Sequence, residues 1–272
     1  MTTTKKTGTE IKKKRLREKR IIIALLAVFV GVAGFSGYKI ISIMSDYNTS
    51  ETEYEGLNKD VVEKIETIDP VTNEESPYLD INHEGLKKKN PDYVGWLYIP
   101  GTNISYPMVL GDTNDEYLHK TFEGKYAYAG ALFLDYRNKA DFSDTNTVVY
   151  GHHMNNNSMF TQLDLFQNWE FGTKNNVFHI YRDNKVYIYQ NYCFILTSST
   201  GYAYTFNFAT QRDYANHLAT LKTEQYYETG VRADVTKPIV TLSTCQGINT
   251  GRRYVLVGIL KEVIDMNDIR NH

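Results

Sequence analysis

The pattern of apolar and polar positions changes character along the chain. Residues 21–38, IIIALLAVFVGVAGFSGY, carry no charge, and residues 40–44 extend the apolar run past Lys39. At about 1.5 Å rise per residue, 18–24 helical residues reach roughly 27–36 Å, the thickness of a bilayer core. The run offers no polar face, so a transmembrane helix over 21–44 is expected, with Lys39 snorkelling near one end. No small-x-small cleavage site follows it, which points to an uncleaved signal anchor and not a removed signal peptide. Residues 45–80 are polar and acidic and read as a membrane-proximal stalk or helix segment, with one helix around 54–68. Residues 81–90 read as a short helix ended before Pro91, because the residue preceding a proline avoids the α region.

From Asp92 onward the period becomes two. Strands are expected at 94–99, 104–110, 131–136, 146–151, 238–245 and 252–260, with a hairpin over 177–198 turning at Arg182-Asp183-Asn184. One helical stretch interrupts them at 209–229, where Tyr214, Leu218, Leu221 and Tyr226 recur at helical spacing. About eight short strands with few helices predict a mainly-β fold, a closed or half-closed barrel, in place of a parallel α/β sheet. The expected organisation is a tail at 1–20, an anchor at 21–44, a stalk at 45–80 and a β-barrel domain at 81–272.

Charge sharpens this picture. The net charge of −2 conceals an asymmetry: residues 1–20 hold nine Lys/Arg against two Glu, which leaves −9 on the rest. By the positive-inside rule the tail stays in the cytoplasm and the barrel lies outside, making a single-pass cell-membrane protein. An acidic folded part excludes a general nucleic-acid binder. Two cysteines, Cys193 and Cys245, exclude a zinc ribbon or a disulfide-dense scaffold. No acidic cluster has a loop suited to calcium, so neither a metal nor another cofactor is expected.

Cys245 ends an apolar strand and faces the loop 246–251, whereas Cys193 lies among apolar strand residues and reads as a small buried hydrophobe. His152 and His153 follow Gly151 at the end of one strand, and Arg252 and Arg253 open another. A thiol becomes a nucleophile when a nearby cation lowers its pKa. A histidine supplies the proton that a leaving amine needs, and an arginine can hold a developing oxyanion. Period-two alternation puts Arg252 and Arg253 on opposite faces, so only one can point at Cys245, and it puts Ser243 on the face of Cys245. Tyr202, Tyr204 and Phe206 read either as an aromatic wall of the same groove or as barrel core. His83, His119, His179, His217 and His272 lack a partner pattern and read as solvated or structural.

These residues resemble a family. Thr241-Leu242-Ser243-Thr244-Cys245 is similar to the TLxTC signature of sortases, the cysteine transpeptidases of Gram-positive surfaces. Tyr150-Gly151-His152-His153-Met154 with Met159-Phe160, Asn90–Trp96 and Leu132–Asn138 resemble the class B version, as does the long helix before the cysteine strand. The resemblance covers roughly residues 80–262. It implies an eight-stranded sortase barrel with peripheral helices. It also implies that Cys245 cleaves a C-terminal sorting motif of a surface protein after Thr, through a thioacyl enzyme. An amine of the peptidoglycan cross-bridge or of its lipid-linked precursor then takes the acyl group. The motif expected is NPxTN-like, or a variant such as (S/P)PxTG or LPxTG.

By family pattern His152 is the catalytic histidine and His153 the runner-up. Arg253 is chosen over Arg252 because Gly258 supplies the small residue five positions on. Ser243, Thr244 and Tyr204 are the substrate-binding candidates. Without a carboxylate motif to orient the imidazole, a minority of thiolate–imidazolium pairs and a bell-shaped pH profile are expected. The alternatives are a pilin-polymerising class B sortase or another extracytoplasmic cysteine peptidase. Papain-like enzymes place Cys before His, L,D-transpeptidases carry an SHGC-type motif, and a binding barrel has no use for a strand-end Cys beside an Arg.

Overall fold

The computed structural model describes residues 8–68, 75–245 and 251–270; the loop 246–250 and His272 lie outside the described residues. The chain divides into two compact units at Asp46/Tyr47. In the first, the described residues belong to helix α1 (Gly8–Val61). Ile22, Leu25, Phe29, Val32 and Ile40 are all exposed, the mark of a helix stretch that is apolar all round. Its apolar stretch has a mean hydropathy of 2.3 and the length to cross a membrane.

The second unit holds the rest of α1 and everything after it. Strands β1 (Val62–Ile68) and β2 (Glu75–Ile81) pair antiparallel, and helix α2 (His83–Lys89) follows. Then come β3 (Tyr93–Tyr98), β4 (Ser105–Val109), β5 (Leu132–Leu134), β6 (Asn146–Tyr150), helix α3 (Trp169–Lys174), β7 (Val177–Arg182) and β8 (Lys185–Ser198). Helix α4 (Gln211–Thr223), β9 (Ile239–Cys245), β10 (Arg252–Asp265) and α5 (Met266–Arg270) complete the order. Strands β3 to β10 close an eight-stranded barrel in the order β10-β8-β7-β3-β4-β5-β6-β9, the mainly-β architecture expected. Two contacts are parallel, β4 with β5 and β6 with β9; the others are antiparallel.

Local chemistry explains several boundaries. Asp183 and Asn184 have φ of 50° and 59°, so the β7–β8 hairpin closes through a two-residue turn with both centres left-handed. Thr210 and Asp213 form a reciprocal capping box that starts α4. Tyr214, Leu218 and Leu221 are buried under α4, while Tyr226 lies beyond its end and is exposed. A Cβ on Gly258 would sit 2.3 Å from the Phe178 ring, so only glycine lets β10 pass over that aromatic.

The segment before β3 differs from the stalk pattern. The helix ends at Val61, and Val62–Ile68 is extended because it pairs with Glu75–Ile81. Tyr54, Leu57, Val61, Tyr78 and Leu79 are buried in the main core with Trp96 and Leu97. Polar residues on its outer face hide this apolar stripe, whose partners lie far along the chain.

Candidate active site

Register brings three candidates level. In the parallel β6–β9 pair Tyr150 lies opposite Ser243, and Gly151 N–H donates to the Ser243 carbonyl at 3.2 Å. Two residues past Tyr150 is His152; two residues past Ser243 is Cys245. In the antiparallel β9–β10 pair Arg253 lies directly opposite Cys245, and directly opposed residues share a sheet face. Arg252 therefore faces the other way. His152, Cys245 and Arg253 line one groove of about 210 Å³ with Ser243, Thr244 and Tyr150.

Each side chain has a local reason for its place. A Cβ on Gly151 would meet Leu132 at 2.5 Å and the Phe160 ring at 2.7 Å, so glycine lets the chain turn over them into His152. The His152 Nε2–H donates to the Leu118 carbonyl at 2.8 Å. A carbonyl only accepts, so Nε2 carries hydrogen and Nδ1 is the basic nitrogen of the neutral ring. Burial holds His152 below the usual histidine range; the Leu118 bond opposes this, and the charges of His119 and Arg253 add to it. His153 does not share that environment. It bonds Asp164 at 2.7 Å, and that carboxylate raises its pKa.

Cys245 is a free, half-buried thiol, and Arg253 forms no ion pair among the described residues. Ser243 is buried and within 2.8 Å of the Tyr204 hydroxyl. Thr244 is buried, and its Oγ1 has no hydrogen-bond partner among the described residues. Tyr204 reaches the groove through Ser243 and stacks on Tyr150 at 6.1 Å. Phe206 packs instead beneath the Arg137 guanidinium, and Tyr202 packs on the core below α4. The aromatic trio thus divides.

Period and spacing did not show the opposite wall. Asn114, Asp115 and Leu118, from the long β4–β5 connection, line the groove. Asn114 bonds the buried Asp135 carboxylate at 3.0 Å, which also accepts from the Tyr150 hydroxyl at 3.0 Å and from Arg137 at 2.8 Å. The other end of that connection is held by α1. Glu53 accepts from Thr121 Oγ1 and the Glu123 amide, each at 2.8 Å. The Tyr54 hydroxyl donates to the Gly130 carbonyl at 2.6 Å. Among the other histidines, His179 and His217 are buried, His83 bonds the Tyr93 hydroxyl at 2.8 Å, and His119 stacks on His152. The last was not expected from a residue with no motif around it.

The chain is similar to known proteins. A family model described as the Sortase domain matches residues 97–261. The chain is 30% identical over 253 residues to Sortase B of Staphylococcus aureus, covering 91% of this chain and 100% of that one. It is 31% identical over 222 residues to Sortase B of Listeria monocytogenes, covering 82% and 88%. A solved Staphylococcus aureus sortase B–substrate complex superposes with a TM-score of 0.63 at 31% identity, over 66% of this chain and 84% of that chain.

Proposed function

This chain belongs to the class B sortases, which are cysteine transpeptidases, and from that premise we propose that Cys245, His152 and Arg253 are its catalytic residues. The observation that carries the reading is the level placement of the three on adjacent strands, opening into one groove. The Cys245 thiolate attacks the carbonyl of the Thr–X bond in a sorting motif. Arg253, on the same face and with no ion pair among the described residues, donates to the oxyanion that forms. The His152 imidazolium gives its proton to the leaving amine. A thioacyl enzyme remains. Neutral His152 then takes a proton from an incoming amine, which attacks the thioester and releases the transferred protein.

Burial disfavours the His152 imidazolium, which works against a thiolate–imidazolium pair. The pair's titration belongs to both groups. Ser243, Thr244 and Tyr204 serve the substrate: Ser243 and Thr244 line the groove, and Tyr204 sets the Ser243 hydroxyl.

The substrates are surface proteins with a C-terminal NPxTN-like, (S/P)PxTG-like or LPxTG-like motif. The acceptor is an amine of the peptidoglycan cross-bridge or its lipid-linked precursor. Residues 21–44 anchor the chain in the cell membrane with the basic tail 1–20 in the cytoplasm and the barrel outside. That a sortase B of Staphylococcus aureus was solved as a substrate complex supports a substrate site in this fold. The test incubates the full chain in detergent with quenched peptides carrying NPQTN, SPKTG, PPKTG or LPETG, with and without amine acceptors. Cleavage after Thr that vanishes in Cys245→Ala, with the amine joined to the new Thr carboxyl, is the expected result. Cleavage that survives Cys245→Ala overturns the reading.

A further inference from the structure

His152 is held by more than its hydrogen bond. Its ring stacks on His119 with centroids 5.5 Å apart and planes 13° apart, and on Tyr128 at 5.2 Å and 29°. His119 and Tyr128 stack on each other at 5.3 Å and 23°, so each ring touches the other two. His119 Nδ1 lies 3.4 Å from the Tyr128 carbonyl, a long contact that links the two sides of the connection. This connection is itself clamped. A Cβ on Gly130 would lie 2.4 Å from the Leu118 carbonyl oxygen. Ala131 N–H donates to the Tyr117 carbonyl at 3.1 Å, and Glu53 and Tyr54 hold residues 121–130 from outside.

We propose that His119 and Tyr128 are positioning residues for His152: their stack keeps its Nε2–H on the Leu118 carbonyl. The proposal rests on the reading of His152 as the proton carrier. Two physical effects act. Stacking removes ring rotation, which leaves Nδ1 as the only basic nitrogen presented to the reaction. A cationic His119 stacked on His152 repels an imidazolium, because like charges disfavour the charged form. The other groups around His152 are Arg253 on β10, the Cys245 thiol on β9, the Tyr150 phenol, and Asp115 on the facing connection. Arg253 acts in the same sense as His119. Glu116 and Lys120 of that connection satisfy each other at 2.9 Å.

The test is an NMR titration of the His152 ring in the full chain in detergent, without peptide, assigned by loss of its signal in His152→Gln. In His119→Phe, which keeps a ring and loses the charge, the His152 midpoint rises by about half a pH unit. In His119→Ala and Tyr128→Leu, ring nitrogen shifts report a mixture of Nε2–H and Nδ1–H tautomers in place of Nε2–H alone. Tyr128→Phe retains the single tautomer. Turnover, where present, falls about tenfold in kcat with KM little changed for His119→Ala, and His119→Phe restores it. An unchanged His152 midpoint and tautomer in His119→Phe, His119→Ala and Tyr128→Leu would overturn the proposal. Because the titration needs no substrate, a failure of peptide cleavage would count against the proposed function alone.

Discussion

The chain has two cysteines in contrasting surroundings, and only one is a candidate for chemistry. Cys245 and His152 sit at strand ends beside Arg253, in a groove open to solvent. Cys193 lies in the core packed beneath α4 with Tyr192, and His217, a residue of α4, packs against Tyr202 and Phe208. Cys193 is fully buried, and burial pushes its thiol up to about 12. Burial likewise pushes His217 down to about 4, and its Nε2 has no partner among the described residues. Lys222 lowers the Cys193 thiol somewhat but does not outweigh burial. Each thiol has a cation near it, Arg253 opposite Cys245 and Lys222 acting on Cys193. Solvent access and shared strand register make the difference, since a charge in a buried core lacks the hydration that a groove supplies.

That contrast can be broken in three places, the largest effect first. Cys245→Ala should lower peptide cleavage by about 10³-fold or more. Cys193→Ala should keep it within about twofold while costing roughly 1–2 kcal/mol of stability through a small cavity. Iodoacetamide followed by mass mapping should label Cys245 in the folded chain and Cys193 only on unfolding. Labelling of Cys193 first would invert the comparison.

Next, Arg253→Ala should cost about 10²–10³ in kcat/KM if it holds the oxyanion. Arg252→Ala, on the opposite face, should stay within a few-fold. Equal losses from the two would remove the register argument.

The smallest effect concerns His217. Its folded pKa lies below the ordinary value of 6.5, so its contribution is complete above that value and is lost as pH falls toward about 4. His217→Leu should therefore flatten the acid side of the stability curve by roughly 1–2 kcal/mol between those limits. An unchanged slope in chemical denaturation across that range would show that this histidine is hydrated in the folded chain.

The sequence by itself determined a good deal. An uncharged run of 18 residues needs only length and composition to read as a membrane-length helix. Alternating strands from Asp92 and a signature ending in Cys245 made the barrel and nucleophile candidates legible, because period and motif are local properties. The pairing of Arg253 with Cys245 was legible in part, through alternation and the need for a small residue at Gly258. Tertiary structure decided the rest. Helix α1 runs up to the antiparallel pair β1–β2, and its Glu53 and Tyr54 grip a connection about 70 residues away. His119 read as solvated or structural, with no sign in the sequence that it stacks on His152. His152 itself acquires a hydrogen-bond partner 34 residues upstream. These contacts join segments that no window of sequence holds together. They form only when the barrel closes and sets the β4–β5 connection against the end of β6.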